Sequence, residues 1–120
     1  GICDPIPIKK AIEDGNDKHL IILTQPKGYK KELSKKNVLV AKLLNNKYPN
    51  LKDALLNRHD SYNETVRFCE ELEKQGKALI LRPEFSLESF EKDVDKLKAN
   101  YNHGYDLATK RINDIKKLFT

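Results

Sequence analysis

The stretch 19–26, HLIILTQP, is a continuous apolar run that contains β-branched residues and ends at a proline. A second run of the same kind, KALILRP, occupies 77–83, and a long helical pattern separates the two. Such runs are typical of strands buried on both faces, and a helical crossover between two of them is typical of parallel strands in one sheet. The sequence therefore predicts an α/β chain with parallel strands over about 19–25 and 78–82.

Two shorter helices are expected around the first strand. PIPIKKAIEDG at 5–15 combines prolines, an apolar face and a final glycine, which predicts a short helix with Asp4 near its N-terminal cap and Gly15 at its end. Ser34 is placed to cap a second helix, which is expected to end near Tyr48 because the following proline disfavours a helical residue before it.

Two longer helices are predicted from apolar residues that recur at steps of three or four. The first runs from Asn50 to Gly76 and carries Arg58 on its otherwise apolar stripe. The second follows the other strand and extends almost to the terminus, with Ser89 or Asp93 as its cap. Gly104 is a point where this helix could bend or split.

Composition limits the classes of function that fit the chain. Its 120 residues fit one domain or part of one, and the net charge is +5, with charges that mostly alternate in sign along helices. Cys3 and Cys69 have no partner spacing of a zinc site or a disulfide scaffold, so free thiols are expected. The longest apolar runs are far shorter than the roughly 20 residues of a membrane span. We expect a cytoplasmic protein that a basic surface could also hold at a membrane, with no metal or other cofactor.

One stretch, KGYKKELSKK at 27–36, is locally basic and contains Lys27, Lys30 and Lys31. Lysines of this kind are common on solvated surfaces, and no aromatic platform or arginine fork accompanies them, so nucleic acid is not an expected partner. The functional alternative is a non-catalytic module whose basic stretch binds an anionic membrane or another protein.

A concentrated polar group falls on the face of the long helix that should be buried: Arg58, His59, Tyr62 and Asn63. Buried polar groups must be hydrogen-bonded or they cost stability, so we expect a structural network here, with ligand binding as the alternative.

Arg58 in particular needs acceptors, because its guanidinium cannot lose its charge by deprotonation. Backbone carbonyls or one of three carboxylates in the opening segment should provide them, namely Asp4, Asp14 or Asp17.

No residue of the chain stands in a recognisable catalytic motif. The four serines lie outside any G-x-S-x-G context, so the strand-to-helix turn that exposes a nucleophile is missing. His19, His59 and His103 are isolated from one another and from metal-ligand spacings, and we expect them at the surface or at helix caps. The sequence therefore predicts no catalytic residue and no metal site within the chain.

The opening segment resembles a known family. GICDPIPIKKAIEDGNDKHLIILTQPKGYKK at 1–31 is similar to the segment that follows the catalytic aspartate of bacterial patatin-like phospholipases, with Gly1 as the second glycine of their D-G-G motif. TQPKGYKK at 24–31 resembles the strand exit of that family. RHDSYNETVRFCEELEKQGKALILRPE at 58–84 and LKANYNHGYDLA at 97–108 resemble the C-terminal region of some bacterial members.

The resemblance implies a three-layer α/β/α fold whose parent protein hydrolyses lipid acyl esters with a serine and aspartate dyad. Neither dyad residue is present here, so this chain would be a structural, non-catalytic C-terminal portion. Residues 1–26 would form the C-terminal edge of the catalytic domain and residues 27–120 a helix-rich α/β region, with no second independent domain. The implied partners are the N-terminal part of the same protein and a lipid or acyl ester substrate.

Overall fold

The computed structural model describes residues 4–44, 47–88 and 90–120. Within these residues the chain forms five helices and two strands and is helix-rich α/β. The elements, in chain order, are α1 Ile8–Glu13, β1 His19–Ile22, α2 Lys35–Leu44, α3 Pro49–Lys74, β2 Ala78–Leu81, α4 Val94–Lys110 and α5 Ile112–Leu118.

The two strands form one parallel sheet, as the apolar runs predict. The register pairs His19 with Ala78 and Ile22 with Leu81. β1 is shorter than the predicted 19–25, although the Leu23 N–H still donates to the Leu81 carbonyl at 2.9 Å. The chain then turns away before Pro26, which has no N–H to continue a ladder.

The long helix α3 confirms the predicted span almost to the residue, beginning at Pro49 and ending at Lys74. Gly76 ends it with φ at +73°, in the left-handed region where glycine carries no Cβ penalty. The Gly76 N–H donates to the Glu73 carbonyl at 3.0 Å and the Lys77 N–H to the Leu72 carbonyl at 3.0 Å. This pair of bonds is the Schellman motif, and it leads α3 directly into β2.

The first helix differs from its prediction at the N-terminus. α1 begins at Ile8, after Pro7, and has no side-chain cap, so Asp4, which was predicted near the cap, does not cap the helix. The residue at the N-cap is Pro7, whose side chain has no oxygen to accept a hydrogen bond from the N–H groups of the first turn. Gly15 follows the helix with φ at +93°, which agrees with its predicted role as the stop.

The second helix begins where the sequence predicts, because the Ser34 carbonyl accepts from the Val38 N–H at 3.1 Å in the first turn of α2. The described part of the helix reaches Leu44 and Lys47 lies in a turn, close to the predicted end near Tyr48, while residues 45–46 lie outside the described residues.

The C-terminal helical region starts as predicted but divides at another place. Asp93 caps α4 by accepting from the N–H groups of Asp95 and Lys96. The other predicted cap, Ser89, lies outside the described residues. α4 continues through Gly104 and ends before Arg111, where α5 follows, so the helix is divided at Arg111 and not at the glycine, where a bend stays a prediction. A single glycine costs a helix interior only about 1 kcal/mol, which neighbouring turns can offset.

The chain divides into two compact units. The first comprises Gly1–Gly15 and Lys30–Phe68, and its buried apolar side chains include Ile8 and Ala41. The second comprises Asn16–Tyr29 and Cys69–Thr120, and its core is formed by both strands and the end of α3. The domain boundary expected at residue 26 stays a prediction.

Candidate functional site

In the first unit, one side chain of the predicted polar cluster holds the basic stretch in place. The Asn63 side chain accepts from the Lys31 N–H at 2.8 Å through Oδ1 and donates to the Lys31 carbonyl at 2.9 Å through Nδ2. These two hydrogen bonds satisfy both the N–H and the carbonyl of one loop residue, as a neighbouring strand would. Asn63 is therefore a structural residue that ties the segment before α2 to α3.

The side chain of Lys31 is held on the same surface. Its Nζ lies 5.4 Å from the centre of the Tyr62 ring, within cation–π range. Burial lowers the pKa of Lys31, and the nearby Arg58 charge lowers it further. Of the three predicted binding lysines, Lys31 is thus engaged with the protein, whereas Lys27 and Lys30 are exposed.

Arg58 and His59 lack the partners that the sequence predicts. Among the described residues, Arg58 forms no ion pair with Asp4, Asp14 or Asp17, and its buried Nε has no hydrogen-bond partner. His59 Nε2 lies 3.4 Å from an Asp60 carboxylate oxygen, while its buried Nδ1 has no partner. The predicted ion pair of Arg58 with Asp4, Asp14 or Asp17 is thus not formed among the described residues, and the charge of Lys31 lies near Arg58.

In the second unit, charged side chains gather where β2 ends. Arg82, the first residue after β2, donates through Nη2 to Glu70 Oε1 at 3.0 Å. Glu73 accepts the main-chain N–H of Ile80, in the middle of β2, at 2.6 Å. Both carboxylates come from the last turns of α3. Sequence reasoning missed these contacts, although an arginine directly after a buried strand is a signal for them.

The histidines of this unit have structural roles. His103 on α4 accepts the Glu84 N–H through Nε2 at 3.0 Å, so its Nδ1 carries the proton, and its ring lies 4.7 Å from that of Phe85. His19 is buried at the start of β1, which corrects the expectation of a surface or cap position. It is buried because its register partner Ala78 begins the core strand.

Cys69 is the buried small residue that the helical stripe predicts. It is 0% exposed and is a free thiol. Burial raises its pKa to about 11, with the Arg82 charge acting in the opposite direction. The thiol is therefore protonated at neutral pH and cannot act as a nucleophile there. The predicted turn position of Cys3 and the motif position of Gly1 lie outside the described residues.

The apolar stripe of the C-terminal helices is largely exposed. α4 has no buried residue, and Tyr101 and Tyr105, whose rings are 6.4 Å apart, are 71% and 64% exposed. Phe90, just before α4, is 96% exposed and has φ at +63°, a left-handed conformation that is rare for a bulky side chain. Among the described residues, this face therefore remains largely uncovered.

The described residues hold no group of three or more histidine, cysteine or carboxylate side chains suited to a metal ion. Across the same ranges, no helix combines the length and the apolar character needed to cross a membrane. The fold and side chains thus define a helix-rich α/β chain whose charged groups collect at the carboxyl end of a parallel sheet.

Residues 48–120 match the family described as a domain of unknown function, DUF6363, and the chain belongs to that family. The match begins next to the start of α3 and includes β2, α4 and α5. No curated protein and no solved structure matches the chain.

Proposed function

We propose that this chain is the C-terminal, structural part of a patatin-like acyl hydrolase that cleaves lipid esters with a serine and an aspartate. The resemblance of residues 1–31 to the segment after the catalytic aspartate of that family supports the proposal. In this proposal the nucleophile and its base belong to the preceding part of the protein, and the chain contributes strands and helices to the shared core.

The observation that carries the proposal is that one edge of the sheet is blocked by a side chain whereas the other edge is open. On β2, the Ile80 N–H is already occupied by the Glu73 carboxylate at 2.6 Å, so this backbone donor is unavailable to another strand. β1 pairs only with β2 among the described residues, which leaves its other edge without a strand partner. Parallel sheets are normally larger than two strands and covered on both faces. A further strand would therefore add to β1.

The exposure of β1 supports the same direction. Ile22 is 71% exposed, whereas its register partner Leu81 is 5% exposed. A strand at the interior of a parallel sheet is expected to be buried along its whole length. The uncovered end of β1 is thus the surface that the rest of the catalytic domain would cover.

The alternative function is a module that binds an anionic membrane or another protein through residues 27–36. Lys27 and Lys30 are exposed and suit such a role. Lys31 suits it less, because its backbone is held by Asn63 and its ammonium lies over Tyr62. We therefore favour the structural role in a hydrolase.

The test is an ester hydrolysis assay on the polypeptide extended upstream of Gly1, compared with the 120-residue chain. We expect the extended protein to hydrolyse p-nitrophenyl butyrate, to lose activity when its G-x-S-x-G serine is replaced by alanine, and to show an Asp-Gly sequence directly before Gly1. The 120-residue chain should show no turnover. Hydrolysis by the 120-residue chain itself, or the absence of both motifs upstream, would contradict the proposal.

A matched pair of variants tests the sheet edge in the extended protein. Ile22→Lys places a charge where the additional strand and its layer would bury it, and we expect a loss of at least about 2 kcal/mol in unfolding free energy together with lower activity. Leu43→Lys is the control, because Leu43 on α2 is 78% exposed and lies outside the sheet. Equal effects of the two variants would mean that β1 is not covered in the parent protein.

A further inference from the structure

A cavity of about 490 Å³ in the second unit opens where both strands end. Its wall includes three cationic side chains, Lys27 after β1, Arg82 after β2 and Arg111 at the end of α4. Ligands of open α/β sheets bind in the crevice outside the carboxyl ends of the strands, where loops from neighbouring strands meet. The position of this cavity therefore corresponds to the usual place of a ligand.

The cationic groups keep donors available after their contacts within the protein. Arg82 uses Nη2 for Glu70 at 3.0 Å, and Arg111 uses Nε for Asp114 Oδ2 at 2.9 Å. Each guanidinium has five N–H groups, so most of them remain for a ligand. Lys27 forms no ion pair within the described part of the chain. The two ion pairs hold the arginine side chains in place, which reduces the entropy that a ligand must offset on binding.

Two carboxylates, Glu73 and Glu84, line the cavity beside the three cationic side chains. The carboxylates that pair with the two arginines, Glu70 and Asp114, are not among the lining residues. The Glu73 carboxylate already accepts the Ile80 N–H, which leaves it less able to compete for the cationic groups. Two arginines and a lysine suit a group with several anionic oxygens, because guanidinium donors match phosphoryl geometry and lysine adds a mobile point charge. A phosphoryl group offers more oxygens to three separate donors than a carboxylate does.

We propose that this cavity binds the phosphoryl group of a small phosphorylated molecule or lipid headgroup, with Lys27, Arg82 and Arg111 as its donors. The inference does not rest on the proposed hydrolase function, since all of the residues lie within one unit of this chain. Because the donors come from the segments that follow β1, β2 and α4, occupancy would also hold these three segments together.

The experiment titrates inorganic phosphate into the 120-residue chain and follows amide chemical shifts by NMR, with sodium chloride at matched ionic strength as the blank. We expect saturable binding with a dissociation constant on the order of 1 mM and shifts of the amides of Lys27, residues 80–82, Glu84 and residues 107–111. Lys27→Gln and Arg111→Gln should each weaken binding by about fivefold or more, because each removes a charge-assisted hydrogen bond.

Lys110→Gln is the matched control for Arg111→Gln, since Lys110 precedes Arg111 and is exposed but does not line the cavity. Its affinity for phosphate should be unchanged. Absence of saturable shifts up to about 20 mM phosphate would overturn the proposal. Equal weakening by Lys110→Gln would also overturn it, because binding would then reflect diffuse surface charge.

A second arm distinguishes the source of the phosphoryl group. Phosphatidylcholine vesicles that contain phosphatidic acid should bind the chain if the ligand is a lipid headgroup, and Lys27→Gln should remove that binding. If the chain binds inorganic phosphate but not these vesicles, the ligand is a soluble phosphorylated molecule. Either result supports the phosphoryl site, provided that the phosphate titration responds to the lining variants as stated.

Discussion

β2 and the C-terminal helices have equally clear apolar patterns in the sequence, yet β2 is buried and the apolar stripe of the helices is largely exposed. All four residues of β2 are buried, whereas α4 buries none of its seventeen. β2 has β1 on one edge and the Glu73 side chain on the other, and α5 packs near it. Among the described residues, the stripe of α4 remains largely exposed. A periodic pattern therefore identifies the element, but burial depends on what is available to cover it.

The largest expected effect concerns the buried strand. Leu79→Ala should lower the unfolding free energy by about 2–4 kcal/mol, because it removes a buried side chain and leaves a cavity in the core. Tyr101→Ala on the exposed stripe should change it by less than about 0.5 kcal/mol. Urea denaturation followed by circular dichroism measures both. Similar losses in the two variants would mean that the stripe of α4 is covered in solution.

The buried thiol next to the strand should make stability depend on pH. Since burial raises the Cys69 pKa from 9.0 to about 11, the folded state holds this proton more tightly than the unfolded state. That contribution to the unfolding free energy is complete below pH 9 and is lost as the pH rises through about 11, and it amounts to roughly 3 kcal/mol.

The control for this prediction is Cys69→Ala, which has no thiol to titrate. In urea titrations with a reductant at pH 8 and at pH 10.5, the stability difference between the parent chain and Cys69→Ala should shrink at the higher pH. A constant difference would show that Cys69 is not shielded from water.

Two glycines compare the end of α3 with the middle of α4. Gly76→Ala should destabilise the chain by about 1 kcal/mol, because φ at +73° is unfavourable for alanine although the space around the site is open. Gly104→Ala should stabilise it by about 0.5–1 kcal/mol, since alanine is the better helix former and meets no atom within 4 Å. The thermal midpoints of the two variants should move in opposite directions; a shift in the same direction would contradict the assigned conformations.

A smaller effect is expected at Phe90, in front of the exposed stripe. Its left-handed backbone costs a non-glycine residue about 1 kcal/mol, and its side chain is 96% exposed. Phe90→Gly should therefore stabilise the isolated chain slightly, by up to about 1 kcal/mol. A marked loss of stability on thermal denaturation would mean instead that the ring is buried in solution.

Local patterns predicted much of the fold because they depend on neighbouring residues alone. The apolar runs predicted both strands and their parallel direction. The spacing of apolar residues along α3 predicted the span of that helix and the burial of Cys69. Asp93 was predicted as a cap from its position before the stripe. These features require no knowledge of distant contacts.

Features that depend on distant partners could not be predicted in the same way. Whether the Nε of Arg58 is paired depends on which carboxylates reach it through the fold. The two hydrogen bonds between Asn63 and Lys31 join positions far apart in the sequence. The Glu73 bond to the Ile80 N–H depends on the tight turn between α3 and β2. The charged cavity at the strand ends escaped prediction because its residues come from three separate segments.

The most direct test of the account is amide hydrogen exchange along β1, in the 120-residue chain and in the polypeptide extended upstream. The N–H groups of His19 and Leu23 donate to the carbonyls of Lys77 and Leu81, and donors alternate between the two edges of a strand. The Ile22 amide should therefore exchange quickly in the 120-residue chain while that of Leu23 is protected. In the extended protein the Ile22 amide should become protected as a further strand pairs with β1. Fast exchange of Ile22 in both proteins would contradict the claim that this sheet is completed by the rest of a hydrolase.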